Sequence, residues 1–181
     1  MLLKVEKNYC PFLWITIAQN GQIYGNRALG NLVNTANPYK FSYTGYSEIF
    51  CGFVDTAVNS NEYKTNLNTN FLEFLNRQKN ITGKIAAFSS WEALNRILNG
   101  QRSSIPVIAA YDKTGGAQPN VNEQLINKML TDSHREWDEE CMDVFTHYEA
   151  IECLKNKNRV LYISVMAKQM NGRTQKNIIT T

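Results

Sequence analysis

The chain contains few of the residues from which metal sites and catalytic triads are built. It has two histidines, His134 and His147, and four cysteines without C-x-x-C spacing among 181 residues. The histidines fall on different sides of a helix, so they cannot chelate one metal ion as a pair four residues apart would. No Ser-His-Asp order, nucleophile elbow or zincin motif occurs in the sequence. The residues alone therefore predict neither a catalytic site nor a metal site.

A large excess of one charge and long apolar runs are also missing. Lys and Arg number 19 against 16 Asp and Glu, so the net charge is +3, and no basic run is interleaved with aromatic residues. We therefore expect no nucleic-acid partner. No apolar run reaches about 18 residues, so we expect no membrane span. The N-terminus Met1–Cys10 is too short and too charged for a secretory signal, which predicts a cytoplasmic chain with reduced, mostly buried thiols.

Three short apolar segments predict buried β-strands: Lys84–Phe88, Ile105–Tyr111 and Arg159–Ser164. With the helical segments between them they give the order helix, strand, helix, strand, helix, helix, strand. This alternation indicates an α/β fold, with a mostly parallel sheet, right-handed crossovers and helices on both faces. Functional residues of such a sheet are expected just past the carboxyl ends of its strands. After Ser164, however, the stretch Val165–Thr181 shows no periodicity, cap or carboxylate.

The helices are predicted from N-terminal caps, in which a polar side chain precedes an acid three residues later. These pairs are Asn70 and Glu73, Ser89 and Glu92, Asn120 and Glu123, and Ser133 and Glu136. The last pair opens the longest predicted helix, Ser133–Leu154. Residues at steps of three or four predict that one apolar stripe of this helix packs on the sheet. The stripe comprises Trp137, Cys141, Val144, Tyr148, Ile151 and Leu154.

The N-terminal third carries weaker signals. Pro11–Asn20 is predicted to be a helix that Gly21 ends in the left-handed conformation. The segment Gly25–Gly30 has the glycine spacing of a phosphate loop but no following Lys-Ser/Thr, so phosphate binding is not expected there. Tyr43–Asp55 is predicted to be rich in turns.

Four segments carry a resemblance to a known family. They are CPFLWITIAQNGQIYGNRALGN, FSYTGYSEIFCGFVD, FLEFLNRQKNITGKIAAFSSWEALNRILN and FTHYEAIECLKNKNRVLYIS. In this order and spacing the chain resembles the bacterial phosphodiesterase-, sulfatase- and phosphoglyceromutase-like branch of the alkaline phosphatase superfamily. The resemblance implies a large α/β sheet, a Thr or Ser nucleophile, and two divalent metal ions, usually zinc, acting on a small phosphate or sulfate ester. It also implies that intact members are exported or periplasmic.

The resemblance transfers little of the family's site to this chain. Tyr43–Gly52 is similar to the family segment Tyr-Pro-Gly-Tyr-Asn-Glu-Ile-Leu-Thr-Gly, whose Asn lies near the bound phosphate. Ser47 stands in place of that Asn, Thr44 in place of the Pro and Cys51 in place of the Thr. Ser47 is therefore the one candidate substrate-binding residue, with no catalytic or metal-ligating residue assigned. Ser89-Ser90-Trp91 matches the family's Thr-Ser-Trp, interpreted as a helix cap followed by a core tryptophan.

The C-terminal tail matches the family in another reading frame. After RVLYIS the family continues Tyr-Gly-Glu-Thr-Asp-Glu-Trp-Ala-His, which supplies a metal-binding Asp and His. Codons for Val165–Thr174, read one base earlier, permit this motif. The dipeptide Met166-Ala forces the Gly, and Met170-Asn171 forces the second Glu. We therefore predict a partial alkaline-phosphatase-like domain over residues 1–164 and a frameshifted tail over 165–181.

The expected function is that of a fragment of a metal-dependent phosphoric or sulfuric ester hydrolase. The family's nucleophile segment would precede Pro11, and its Asp-His-Gly metal motif would follow Thr181. We therefore expect this chain to be inactive and to hold no cofactor, although intact members hold two zinc ions. The alternative is a non-catalytic α/β binding domain that functions in its own right. A shortage of metal ligands argues against a third hypothesis, an intact enzyme with an unrecognised site.

Overall fold

The computed structural model describes residues 11–135, 137–156 and 161–165, the last five by their backbone alone. The chain divides into two compact units, Met1–Pro38 and Tyr39–Thr181. The first unit contains a π-helical segment, Phe12–Ile17, that continues into one α-helical turn, Ala18–Asn20, and a 3-10 turn, Arg27–Leu29. The predicted N-terminal helix is thus confirmed in position. It ends at Asn20 as predicted, but the predicted left-handed conformation of Gly21 is wrong, because Gly21 has φ −132°.

The second unit alternates helices and strands. Its elements are α1 (Ser42–Cys51), α2 (Phe71–Asn76), β1 (Ile85–Ser89), α3 (Ala93–Leu98), α4 (Gly100–Ser103), β2 (Val107–Ala109), α5 (Val121–Asp132), α6 (Asp143–Asn156) and β3 (Leu161–Val165). From α2 onward this is the predicted order, with the short α4 added. The α/β fold class is therefore confirmed.

The three strands form a parallel sheet in the order β2-β1-β3. Ala87 lies opposite Val107, and Ser89 lies opposite Val165. The predicted strands over 84–88 and 105–111 are confirmed, the second as a shorter strand. The predicted strand over 159–164 is confirmed from residue 161 onward, while Arg159 and Val160 lie outside the described residues. The tail beyond residue 165 also lies outside them.

Helices cover both faces of the central strand β1. On one face Ile85 and Ala87 belong to a core cluster formed with α1, α2 and α3. On the other face Ala86 and Phe88 pack against Ala150 and Cys153 of α6. The strand is buried at every position, which is why its sequence is continuously apolar up to Ser89 instead of alternating. The predicted covering of both faces is confirmed.

Two of the four predicted caps form. Asn70 and Asn120 each accept a hydrogen bond from the backbone N–H three residues on, and the acids Glu73 and Glu123 accept from the cap residues in return. The predicted cap at Ser89 is wrong, because Ser89 is the last residue of β1 and its hydroxyl accepts a hydrogen bond from the backbone N–H of Trp91.

The predicted helix Ser133–Leu154 is wrong before Asp143 over the described residues 133–135 and 137–142. Ser133 ends α5 instead, with its backbone N–H donating to the carbonyl of Met129. The following segment runs beside the chain that leaves β1. There the Glu92 N–H donates to the Glu139 carbonyl and the Cys141 N–H to the Ser90 carbonyl, each at 2.9 Å. These hydrogen bonds take the place of a helical turn. Starting at Asp143, α6 is still the longest described helix, with 14 residues.

The predicted apolar stripe of this helix is also wrong. Val144 and Tyr148 lie on the outer face, 48% and 53% exposed. The inner face carries Phe145, Glu149 and Ala150, which are all buried. Because β1 presents Ala86 and Phe88 to α6, a small residue at 150 fits closely against the sheet, whereas Val144 and Tyr148 turn outward.

The turn-rich prediction for Tyr43–Asp55 is wrong over most of its length, where α1 forms. Tyr43 and Phe50 are buried in the core on one side of this helix. Its N-terminus has no side-chain cap, but the Tyr43 N–H donates to Asn61 Oδ1 at 3.0 Å. Gly52, at φ 77°, ends the helix in the left-handed conformation, a geometry that a glycine adopts without strain.

Candidate functional site

The carboxyl ends of the strands meet at one edge of the sheet, where α/β proteins bind their ligands. Ser89 at the end of β1 is level with Ala109 of β2 and Val165 of β3. The segments that leave the strands here are Ser90–Trp91 and Ala110–Asp112. We call this region the carboxyl edge.

A strained turn follows β2 at the carboxyl edge. Ala110 has φ 52°, a left-handed conformation that costs an alanine roughly 1–2 kcal/mol. Its N–H donates to the carbonyl of Ser89 at 2.8 Å, and Asp112 Oδ2 accepts from the Ala109 N–H at 3.1 Å. These two hydrogen bonds hold the turn. Strained backbone of this kind is common where a fold positions a loop for binding.

A polar cleft of about 320 Å³ lies beside this turn. Its lining includes Thr65, Glu92, Asn95, Arg96, Gln101 and Asp112. The Arg96 guanidinium is already engaged, since it pairs with Glu92 and donates to the carbonyl of Tyr63. Asp112 contributes an exposed carboxylate. The cleft therefore offers carboxylate and amide groups to a small polar ligand. The positive charge of Arg96 is already neutralised by Glu92.

Three of the segments that resemble the family lie together near the carboxyl edge. Trp91 follows β1, and its ring centroid lies 6.4 Å from that of Tyr46 in α1. The backbone of β3 pairs with β1 along its whole length. The fold thus places the segments Tyr43–Gly52, Ser89–Trp91 and Leu161–Ser164 in one neighbourhood.

Ser47, the candidate substrate-binding residue, lies on the buried side of α1 with 3% exposure. Its Oγ accepts a hydrogen bond from Asn66 Nδ2 at 3.0 Å, and the same amide group contacts Cys51 Sγ at 3.6 Å. Burial raises the pKa of the Cys51 thiol. Asn66 is itself fully buried and lies between Ser47 and the loop that follows Asn66. A substrate contact by Ser47 remains a prediction.

The histidines are both exposed and lie on different segments. His147 is on the outer face of α6, with its ring centroid 5.4 Å from that of Tyr148, and His134 follows α5. Within residues 11–135, 137–156 and 161–165 there is no group of three or more His, Cys, Asp and Glu side chains that could hold a metal ion. These residues do not fit the two zinc ions that the resemblance implies.

One unusual acid near this edge was not expected from the sequence. Glu149, on the inner face of α6, is 1% exposed, and its Oε1 has no hydrogen-bond partner among the described residues. Burial, with a smaller contribution from Asp112, raises the pKa of Glu149 to about 8. The predicted stripe assigned other positions of this helix to the sheet, and Glu149 was not among them.

The described part of the chain contains no helix long and apolar enough to cross a membrane. Comparison of the chain with protein-family models, with curated proteins and with solved structures finds no match.

Proposed function

We propose that this chain is part of a metal-dependent phosphate- or sulfate-ester hydrolase of the alkaline phosphatase superfamily, and that it is inactive by itself. The observation that supports the proposal best is the meeting of three family-like segments near the carboxyl edge. Trp91 contacts Tyr46 of α1, and β3 ends level with Ser89. A two-zinc hydrolase needs its nucleophile and its metal ligands at that edge of the sheet.

The catalytic groups of the intact enzyme, in this proposal, are encoded partly in another reading frame and partly beyond the present 181 residues. The metal-binding Asp and His belong to the motif encoded in the second frame after Ser164. This motif would follow β3 directly at the carboxyl edge. The nucleophile belongs to a segment before Pro11. In this proposal the described α/β layers are part of the family scaffold, and Ser47 is the remnant of the phosphate contact.

A non-catalytic binding domain is the second candidate, and the polar cleft favours it. The cleft has a volume typical of the smaller ligand pockets and several amide and carboxylate groups. Under this alternative the cleft binds a small polar molecule without converting it, and the chain needs no further segment to be stable.

Three versions of the protein distinguish the two candidates. The first is the 181-residue chain, the second has one base inserted near the Ser164 codon, and the third adds the upstream and downstream coding. We expect zinc-dependent hydrolysis of nitrophenyl phosphate, phosphodiester or sulfate substrates, and stoichiometric zinc after dialysis, only from the third. Its matched control replaces the restored metal-binding Asp by Asn and should lose both zinc and turnover.

Two outcomes would contradict the hydrolase proposal. One is zinc-dependent turnover by the 181-residue chain. The other is a 181-residue chain that is monodisperse, unfolds cooperatively and gains neither solubility nor zinc from the added coding. The second outcome would support the binding domain.

A further inference from the structure

The side chain of Glu149 is enclosed without a partner for one of its oxygens. It is 1% exposed, and Oε1 accepts no hydrogen bond from the described residues. An ionised carboxylate is very unfavourable in such a place, whereas a protonated carboxyl group loses much less on burial. The geometry of the inner face of α6 thus favours the neutral form of this acid.

Among the described residues, the charged groups that act on Glu149 are repulsive. From the turn after β2, Asp112 adds a repulsive charge. Just before α6, Cys141 interacts unfavourably with both Glu149 and Asp143. No Lys, Arg or His contributes to the titration of Glu149 among the described residues.

The described residues packed on the inner face of α6 are apolar, or their polar groups already have hydrogen-bond partners. From β1 the inner face of α6 meets Ala86 and Phe88. On α5, which packs against α6, the buried acid is Glu123. Its carboxylate takes part in the capping box with Asn120. The titratable residue in the sequence of β3 is Tyr162. Because no described group neutralises a carboxylate at this position, Glu149 avoids a buried charge by keeping its proton.

A second glutamate of the same helix shows the opposite arrangement. Glu152 Oε2 accepts from Asn122 Nδ2 at 3.1 Å, and Oε1 accepts from Lys155 Nζ at 3.1 Å. The hydrogen bond from Asn122 first, and then the one from Lys155, hold the pKa of Glu152 below its usual value. Glu152 is therefore a matched control, because it differs from Glu149 in its partners and not in its helix.

We propose that α6 is held on the sheet by a protonated Glu149 and that loss of this proton releases the helix, a pH-sensitive device built into the fold. Burial and Asp112 raise the pKa of Glu149 from 4.5 to about 8 in the folded chain. The unfolded chain releases this proton near 4.5, so the stabilisation is complete below that pH. It is lost progressively as the pH rises to about 8.

The test compares the 181-residue chain with Glu149→Gln and Glu152→Gln in denaturant unfolding between pH 5 and pH 9, followed by tryptophan fluorescence. The amide that E149Q places on the inner face of α6 cannot ionise. The unfolding constant of the wild type, divided by that of E149Q, should rise about tenfold per pH unit between about 5 and 8 and then level off. E152Q should keep the wild-type dependence in this window. Equal pH dependence in wild type and E149Q would overturn the proposal.

Amide hydrogen exchange locates the effect. In the wild type, protection of α6, corrected for the intrinsic rate, should fall from pH 6 to pH 8.5 and should drop below the protection of α2 and α3, which reports global unfolding. In E149Q the protection of α6 should not change. Protection of α6 that stays equal to that of α2 and α3 up to pH 8.5 would contradict release of α6. No substrate or metal enters this experiment, so a missing pH dependence would overturn this proposal without bearing on hydrolase activity.

Discussion

Arg102 binds Glu73 through two hydrogen bonds, Nε to Oε2 at 3.1 Å and Nη2 to Oε1 at 2.6 Å. Glu73 is 2% exposed and also takes part in the capping box with Asn70. The same guanidinium donates to the carbonyls of Leu67 and Asn68, each at 2.8 Å. One side chain thus joins α4 to α2 and fixes the loop before α2, with the planar geometry that arginine provides.

Replacing this arginine should be costly even with charge retained. We expect Arg102→Lys to lower the free energy of unfolding by about 2–3 kcal/mol, because an ammonium group cannot make the two-pronged contact and leaves Glu73 and the carbonyls under-satisfied. Urea unfolding measures the change. Lys128→Ala is the control, since Lys128 and Asp132 form an exposed pair (74% and 62%) that should contribute less than about 1 kcal/mol. Equal losses from both substitutions would contradict the prediction.

Asn66 should matter more to stability than the residue it contacts, Ser47. Its side chain donates to Ser47 and Cys51 and accepts from the N–H of Asn68. We expect Asn66→Ala to lower the free energy of unfolding by about 2–3 kcal/mol, because it leaves several buried groups without a hydrogen-bond partner. Ser47→Ala should lower it by about 1 kcal/mol. Thermal or urea unfolding of the two variants decides. A larger loss from S47A than from N66A would refute this ranking.

The thiols should react in an order set by burial. Cys51 is half-buried, whereas Cys141 is buried and that burial raises its pKa to about 11. The thiolate is the reactive form, so iodoacetamide at pH 6.5, where Glu149 is protonated and α6 is held on the sheet, should label Cys51 well before Cys141. Peptide mapping by mass spectrometry measures both rates. Faster labelling of Cys141 than of Cys51 at this pH would contradict the prediction.

Two neighbouring glycines provide a matched pair of substitutions. Gly115 and Gly116 both have positive φ, 88° and 63°. A Cβ on Gly115 would lie 2.6 Å from Pro119 Cβ and 2.7 Å from Glu123 Oε2, while a Cβ on Gly116 would meet nothing within 4 Å. We expect Gly116→Ala to cost about 1 kcal/mol for its backbone alone, and Gly115→Ala to cost about 2 kcal/mol more. Equal unfolding midpoints would contradict this.

Structure that depends on near neighbours could be predicted from the sequence. The capping boxes at Asn70 and Asn120 formed because each cap and its acid are three residues apart and need no distant partner. The strands were found because a strand buried on both faces is continuously apolar, as β1 is. The Ser47 contact with substrate and the family assignment remain predictions.

Structure that depends on distant partners could not be predicted. Ser133 had the same cap signal as Asn120. Near Glu139 and Cys141, however, the backbone is hydrogen-bonded to Glu92 and Ser90 instead of forming a helical turn. In the first turn of α1 the N–H of Tyr43 is satisfied by Asn61, which lies 18 residues further along the chain. Glu149 was missed for a related reason. A helical stripe shows which residues are apolar, but the facing residues of β1 decide which side turns inward.

The parallel order β2-β1-β3 also affects how a nascent chain is handled. β1 reaches β2 through the short connection of α3 and α4, but it reaches β3 only after α5 and α6 have been synthesised. Contacts between distant residues form late, because closing a long loop carries a larger entropic penalty. While translation continues, Ile85 can already pack on α3, whereas Phe88 waits for Ala150 and Cys153. On the ribosome, therefore, the Phe88 side of β1 is the surface that a chaperone would find uncovered.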